Sequence, residues 1–171
     1  MASSARYSLN KNKYLLTPEA DRLEVLLQDY MEKDTRNCLI LSLALRTGGR
    51  AMEILNLKKG DLNSYDETVF IRGLKNSNDR EIPLPRPLYS RLSRYAESID
   101  QPELFPIGYH RLHQIWELYR PVPKKFHSLR LYEKTKDLRL VQVALGHRNI
   151  TNTMIYADYI YSQQELRRLI L

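Results

Sequence analysis

The sequence predicts a mainly helical α+β domain carrying one small antiparallel sheet of about three strands. Three observations carry that expectation. Apolar residues recur at helical spacing through most of the chain, in segments separated by Gly, Pro and Asx-rich breaks. One stretch, Thr68-Val69-Phe70-Ile71, has the β-branched and aromatic density of a strand, and a run of turn formers follows it. Finally, 171 residues with 43% hydrophobic and 27% charged side chains suit a single domain with a real core.

Taken in order, residues 1–16 are polar and aperiodic and read as an N-terminal tail or linker. Thr17-Pro18-Glu19 reads as a helix start: a hydroxyl cap, a proline in the first turn, then an acid. Leu23, Val25, Leu26, Leu27 and Tyr30 supply the buried face of that helix, which ends near Lys33. Asp34 or Thr35 caps a second helix running through Leu39, Ile40, Leu43, Ala44 and Leu45, whose apolar density predicts a central position. Thr47-Gly48-Gly49 breaks it, since glycine lifts the steric limit on the backbone. A short helix over 51–57 follows, then a loop over 61–66.

The strand at 68–71 turns through Lys75-Asn76-Ser77-Asn78-Asp79-Arg80 and returns over 81–84, as an edge strand because it contains Pro83. Helices are expected over 87–98, with Leu88, Leu92 and Tyr95 inward, and over 109–119, which carries Trp116. After Pro121-Val122-Pro123, residues 131–136 are helical in composition. Residues 137–145 form a helix with Leu138, Val141, Gln142 and Leu145, and 151–161 another, with Met154, Ile155 and Tyr159 packing. Residues 163–171 form a last amphipathic segment. The domain is thus expected over 17–162.

The formal net charge of +7 and pI near 9.5 favour an anionic partner, with nucleic acid the commonest. The single cysteine, Cys38, cannot form an internal disulfide and sits in an apolar run, which predicts a buried thiol and a reducing compartment. No apolar run spans a membrane and the first residues lack the apolar core of a signal peptide. The expectation is a cytoplasmic protein with no membrane role.

Six side chains stand out: Arg50 after the Thr-Gly-Gly turn, Lys75 in the hairpin, His127 and Arg130 in His127-Ser128-Leu129-Arg130, His147 in Leu145-Gly146-His147, and Tyr156 nine residues beyond it. Singly, each has an ordinary reading. Arg50 could bind a carboxylate, Lys75 could be a solvated turn residue, the histidines could be structural, and Tyr156 is one of twelve tyrosines. Together they suit phosphate chemistry. A phenol attacks a phosphodiester directly and stores the ester bond. Arginines neutralise the non-bridging oxygens with paired donors. A lysine or histidine protonates the leaving oxygen. Nothing in this scheme requires a metal or cofactor. His110 and His113 have a spacing that could suit a metal, but no Cys or acid ligands support them, and they read as surface or DNA-facing residues.

The order and context of these boxes resemble the catalytic domain of the tyrosine recombinase (phage integrase) family. Thr47-Gly48-Gly49-Arg50-Ala51-Met52-Glu53 resembles its first arginine box. Lys75 with Arg80-Glu81-Ile82-Pro83-Leu84 resembles its hairpin lysine, and the His-x-x-Arg and Leu-Gly-His boxes follow. The resemblance spans roughly 17–160. It implies that Arg50 and Arg130 clamp the scissile phosphate, Lys75 protonates the leaving 5′ oxygen, His127 assists proton transfer, His147 hydrogen-bonds the phosphate and Glu53 supports the site from behind.

Tyr156 is then the nucleophile of a site-specific DNA recombinase or integrase, forming a 3′-phosphotyrosyl link without a metal. Spacing from Gly146-His147 favours it over Tyr159. The partners implied are double-stranded DNA and further copies of the chain, as a tetrameric synapse on DNA, with 163–171 docking on a neighbouring protomer or folding back. Lys124, Lys125, Arg111, Arg139 and Arg148 are the candidate DNA contacts, and phosphate contacts imply steep salt dependence. Two enzymes with the same tyrosine chemistry, a type IB topoisomerase or a telomere resolvase, and a non-catalytic DNA-binding regulator are the alternatives. In two respects the chain departs from the family pattern. The helix expected after Arg130 is several residues short, so that Leu131-Tyr132-Glu133 reads as the end of a helix whose start is absent. Residues 1–16 do not supply the N-terminal DNA-clamping domain usual in the family, so a catalytic fragment or a single-domain member is expected.

Overall fold

A computed structural model describes residues 15–123, 135 and 137–158, the last four by backbone alone. The elements are α1 (Thr17–Tyr30), α2 (Thr35–Thr47), α3 (Ala51–Leu55), a 3-10 turn (Lys59–Asp61), β1 (Leu62–Asn63), β2 (Thr68–Ile71), β3 (Arg80–Pro83), α4 (Arg86–Ser98), α5 (Tyr109–Tyr119), α6 (Leu138–Leu145) and α7 (Thr151–Asp158). The expected mainly helical fold with one small antiparallel sheet is the fold observed.

Helix α2 is the centre of the body. It buries Asn37, Cys38, Leu39, Ile40, Leu41, Leu43 and Thr47, and packs against α1, α3 and α4. Asp34 sits at its N-cap and accepts from the Asn37 amide at 3.0 Å and the Tyr119 hydroxyl at 2.6 Å. Cys38 is buried, its thiol directed at the Tyr119 oxygen at 3.6 Å; burial pushes the thiol pKa up. The core spreads from α2 to Leu23 and Leu27 of α1, Ile54 and Leu55 of α3, Val69 and Ile71 of β2, Leu92 of α4, and Ile115 and Trp116 of α5.

Three expectations about packing are corrected. On α1, Val25 and Tyr30 are 58% and 46% exposed, while Ala20, Leu23 and Leu27 face the core. Position 25 lies two residues from both 23 and 27, which places it on the far side of a helix of 3.6 residues per turn. The α1 cap also shifts: Leu16 is the N-cap, its N–H donating to Glu19 at 2.8 Å, and Thr17 is the first helical residue. On α7, Met154 is 50% exposed and its neighbour Thr153 is buried.

The sheet has the order β1-β2-β3, so Pro83 does lie on an edge strand, opposite Thr68. The third strand comes from within the stretch expected to be a loop, as two residues, Leu62 and Asn63, paired with Val69 and Thr68. Asp61, buried behind it, accepts from Lys58 N–H and from both terminal nitrogens of Arg72, at 2.6 and 2.7 Å, which pins the 3-10 turn to the end of β2. Among the described residues, no helix is long and apolar enough to cross a membrane.

Candidate active site

The chain reverses sharply after α2. Gly48 ends the helix in the left-handed region, φ +63°, and its N–H closes on Ala44 O at 3.0 Å. Two residues later Arg50 stands at the N-cap of α3, half-buried, with its backbone N–H donating to Glu53 Oε2 at 2.9 Å. Its guanidinium reaches across to the β2–β3 connection, where Nη1 donates to the carbonyls of Leu74 and Lys75, both at 2.8 Å. The first arginine and the hairpin lysine, 25 residues apart in sequence, are therefore held together.

The hairpin tip is a tight turn. Lys75 and Asn76 both have positive φ, +47° and +68°, and Ser77 N–H closes on Leu74 O at 3.1 Å. Lys75 is exposed at its apex. Beyond the turn the connection runs against the end of α6. Ser77 forms an antiparallel bridge with His147, and Asn78 N–H donates to Gly146 O at 2.7 Å. Gly146, with φ +69°, ends α6; a Cβ there would lie 2.8 Å from Asn78 O, so only glycine fits both the conformation and the contact. Next to it, the half-buried His147 imidazole is oriented by Thr153, whose buried hydroxyl lies 2.9 Å from Nδ1.

Glu53 sits beneath this arrangement, 1% exposed. It accepts from Arg50 N–H, from Leu74 N–H at 3.2 Å and from Arg80 Nη2 at 2.9 Å. Burial opposes its ionisation, but these donors, Arg80 foremost, outweigh burial and hold its pKa below the ordinary carboxylate value. Arg80 is the member that sequence reasoning did not single out. Its side chain is 5% exposed and also donates from Nε to Ala144 O at 2.9 Å. The sequence places Arg80 in the turn; β3 in fact begins at Arg80 and sets it on the inward face with Ile82, where a buried charge needs a carboxylate.

Of the residues singled out from sequence, Arg50, Glu53, Lys75 and His147 converge. Arg148 joins them at the hairpin, its Nε donating to Asn78 Oδ1 at 3.2 Å. Arg139 is exposed on α6 and bonds Gln142 at 2.8 Å. Arg111 is exposed on α5 and bonds Gln114 at 3.0 Å. Arg50 also lines a cleft of about 650 Å³ with Ile40, Ile54, Leu112, His113 and Trp116, which opens between α2, α3 and α5. Tyr156 falls on α7, where backbone alone is described. His127, Arg130, Lys124 and Lys125 lie outside the described residues.

The shortened helix expected after Arg130 lies largely outside the described residues. His110 lies 3.2 Å from Gln114, and His113 lies 3.8 Å from Glu117. Among the described residues, no group of three or more His, Cys, Asp or Glu side chains could hold a metal ion.

Residues 17–105, just over half of the chain, match the model of the phage integrase family. The chain belongs to that family. Its curated relatives within phage integrases include the tyrosine recombinase XerA of Pyrococcus furiosus, 28% identical over 80% of this chain and 54% of its own length. XerA of Pyrococcus horikoshii is 32% identical over 71% and 50%. The chain thus spans about half the length of the curated relatives it matches. Solved structures of similar fold include XerH recombinase bound to its palindromic difH substrate, with TM-score 0.75, 23% identity and coverage of 94% of this chain and 54% of that one. The catalytic domain of bacteriophage HP1 integrase superposes with TM-score 0.65 and 20% identity, covering 93% and 95%. This phage integrase fold is the frame on which Arg50, Glu53, Lys75, Arg80 and His147 meet.

Proposed function

We infer that this chain is the catalytic domain of a site-specific DNA recombinase that cleaves and rejoins strands through a 3′-phosphotyrosyl link at Tyr156. The observation that carries the reading is the convergence of Arg50, Lys75 and His147, from three separated boxes, around one hairpin tip, held by backbone and buried side-chain bonds.

In the proposed reaction the Tyr156 oxygen attacks the scissile phosphorus and the phosphorus–O5′ bond breaks. The phenolic proton leaves with the help of His127. Arg50 and Arg130 neutralise the non-bridging oxygens, and Lys75 gives a proton to the departing 5′ oxygen. In the described part of the site, Arg50 Nη1 serves the hairpin carbonyls, which leaves Nε and Nη2 as the donors for phosphate. Thr153 orients the His147 ring for a hydrogen bond to the same phosphate. A 5′ hydroxyl from a partner strand reverses the step with the same atoms, so one ester replaces another with no metal and no cofactor. Strand exchange between two duplexes then requires several copies of the chain on double-stranded DNA, passing through a Holliday junction. Lys124, Lys125, Arg111, Arg139 and Arg148 are assigned to DNA phosphates, and residues 163–171 to docking on a neighbouring copy. The net charge of +7 supports the anionic partner.

A nicked duplex that traps the cleaved end tests the reading. Wild-type chain should form a covalent protein–DNA adduct, and Tyr156→Phe should form none. An adduct that persists in Tyr156→Phe contradicts the assignment.

A further inference from the structure

One guanidinium and one carboxylate occupy the space behind the hairpin. The Arg80 and Glu53 side chains are 5% and 0% exposed and meet at 2.9 Å. Three of the bonds they make end beside residues assigned to the reaction. Glu53 Oε2 takes the N–H of Arg50 itself. Glu53 Oε1 takes the N–H of Leu74, the residue before Lys75. Arg80 Nε donates to the carbonyl of Ala144, three residues before His147. A fourth bond, from Arg80 Nη1 to Asn78 O at 3.4 Å, ties the strand to its own hairpin.

A buried ion pair is weak evidence for stability, because apolar residues of similar volume often fold as well or better. Apolar residues could not fix three separate chain segments at hydrogen-bond distance, which the planar fork of an arginine can. A lysine offers a single nitrogen and cannot serve Ala144, Asn78 and Glu53 from three positions.

We propose that Arg80 is a positioning residue for strand cleavage: through Glu53 it sets the Lys75 turn against Arg50 and the phosphate. The inference rests on the function read above. Its effect falls on Lys75 more than on His147, because the Gly146–His147 turn keeps bonds that do not involve Arg80. These are His147 N–H to Gln142 O at 3.0 Å, Asn78 N–H to Gly146 O and the Thr153 contact. The Lys75 turn, at the exposed apex of the hairpin, takes its seat on α3 from Leu74 N–H on Glu53 and from Arg50 Nη1.

The test compares two nicked DNA substrates, one with the ordinary scissile phosphate and one with sulfur replacing the bridging 5′ oxygen. A thiolate leaves without being protonated, so the second substrate does not need Lys75. With protein saturating, Arg80→Lys should bind DNA like wild type and form adduct on the ordinary ester roughly 100-fold more slowly. On the sulfur ester it should recover to within about tenfold of wild type. An unchanged rate on the ordinary ester overturns the inference, and so does an equal loss on both esters. If wild type forms no adduct on either ester, the recombinase reading itself fails and takes this inference with it. Should Arg80→Lys lose its cooperative unfolding transition, Glu53→Gln reads the same coupling from the other end, with the same recovery on sulfur expected and the same two results overturning it.

Discussion

Glu53 is the residue on which the described site turns. Its folded pKa lies below the ordinary carboxylate value of about 4.3, burial being outweighed by donation from Arg80, Arg50 N–H and Leu74 N–H. A group depressed in this way stabilises the fold fully above its unfolded pKa, and that contribution is lost as pH falls through the folded pKa. Glu53→Gln leaves the Arg80 guanidinium buried without its counter-charge, at a cost of about 3–5 kcal/mol near neutral pH. Urea unfolding should show that gap between wild type and Glu53→Gln narrowing as pH drops below the carboxylate range. A gap constant with pH would separate Glu53 from the ion pair. The sequence already pointed to Glu53, three residues after Arg50. Arg80 went unread because its role depends on a carboxylate 27 residues away and on which face of β3 turns inward, and four residues of strand do not fix that face.

Among the elements, those with dense, one-sided patterns were legible to the residue. Helix α5 and strand β2 begin and end where apolar spacing and β-branching place them. Strand β1 has two residues and therefore no alternation to read. Helix α7 was read as burying Met154, yet Thr153 turns inward because its hydroxyl holds the His147 ring. The junction between α6 and the hairpin is the element-scale feature that matters most. Its bonds run from Asn78 to Gly146 and from Arg80 to Ala144, and both require chain passing close over Gly146. Gly146→Ala combines a left-handed backbone, costing about 1–2 kcal/mol, with a Cβ 2.8 Å from Asn78 O and 2.9 Å from Arg80 Nη1. The expected loss in urea unfolding is about 2 kcal/mol or more. A neutral substitution would mean that the hairpin is free to move off α6.

At the scale of the whole molecule, the fold class followed from composition and periodicity, while the site followed from order: boxes that are weak singly are specific as a series. Among the described residues, the Arg50, Lys75 and Gly146-His147 boxes meet at one hairpin tip. In the described residues, α6 is tied to the rest by polar bonds and by Leu145, whose side chain fills the space beside Gly48. The central claim is that Tyr156 carries the DNA. Proteolysis of the trapped adduct and mass spectrometry of the DNA-linked peptide test it directly. A 3′-phosphate ester on Tyr156 is expected; attachment at Tyr159 or Tyr161, or to the 5′ end of the cut strand, would contradict it.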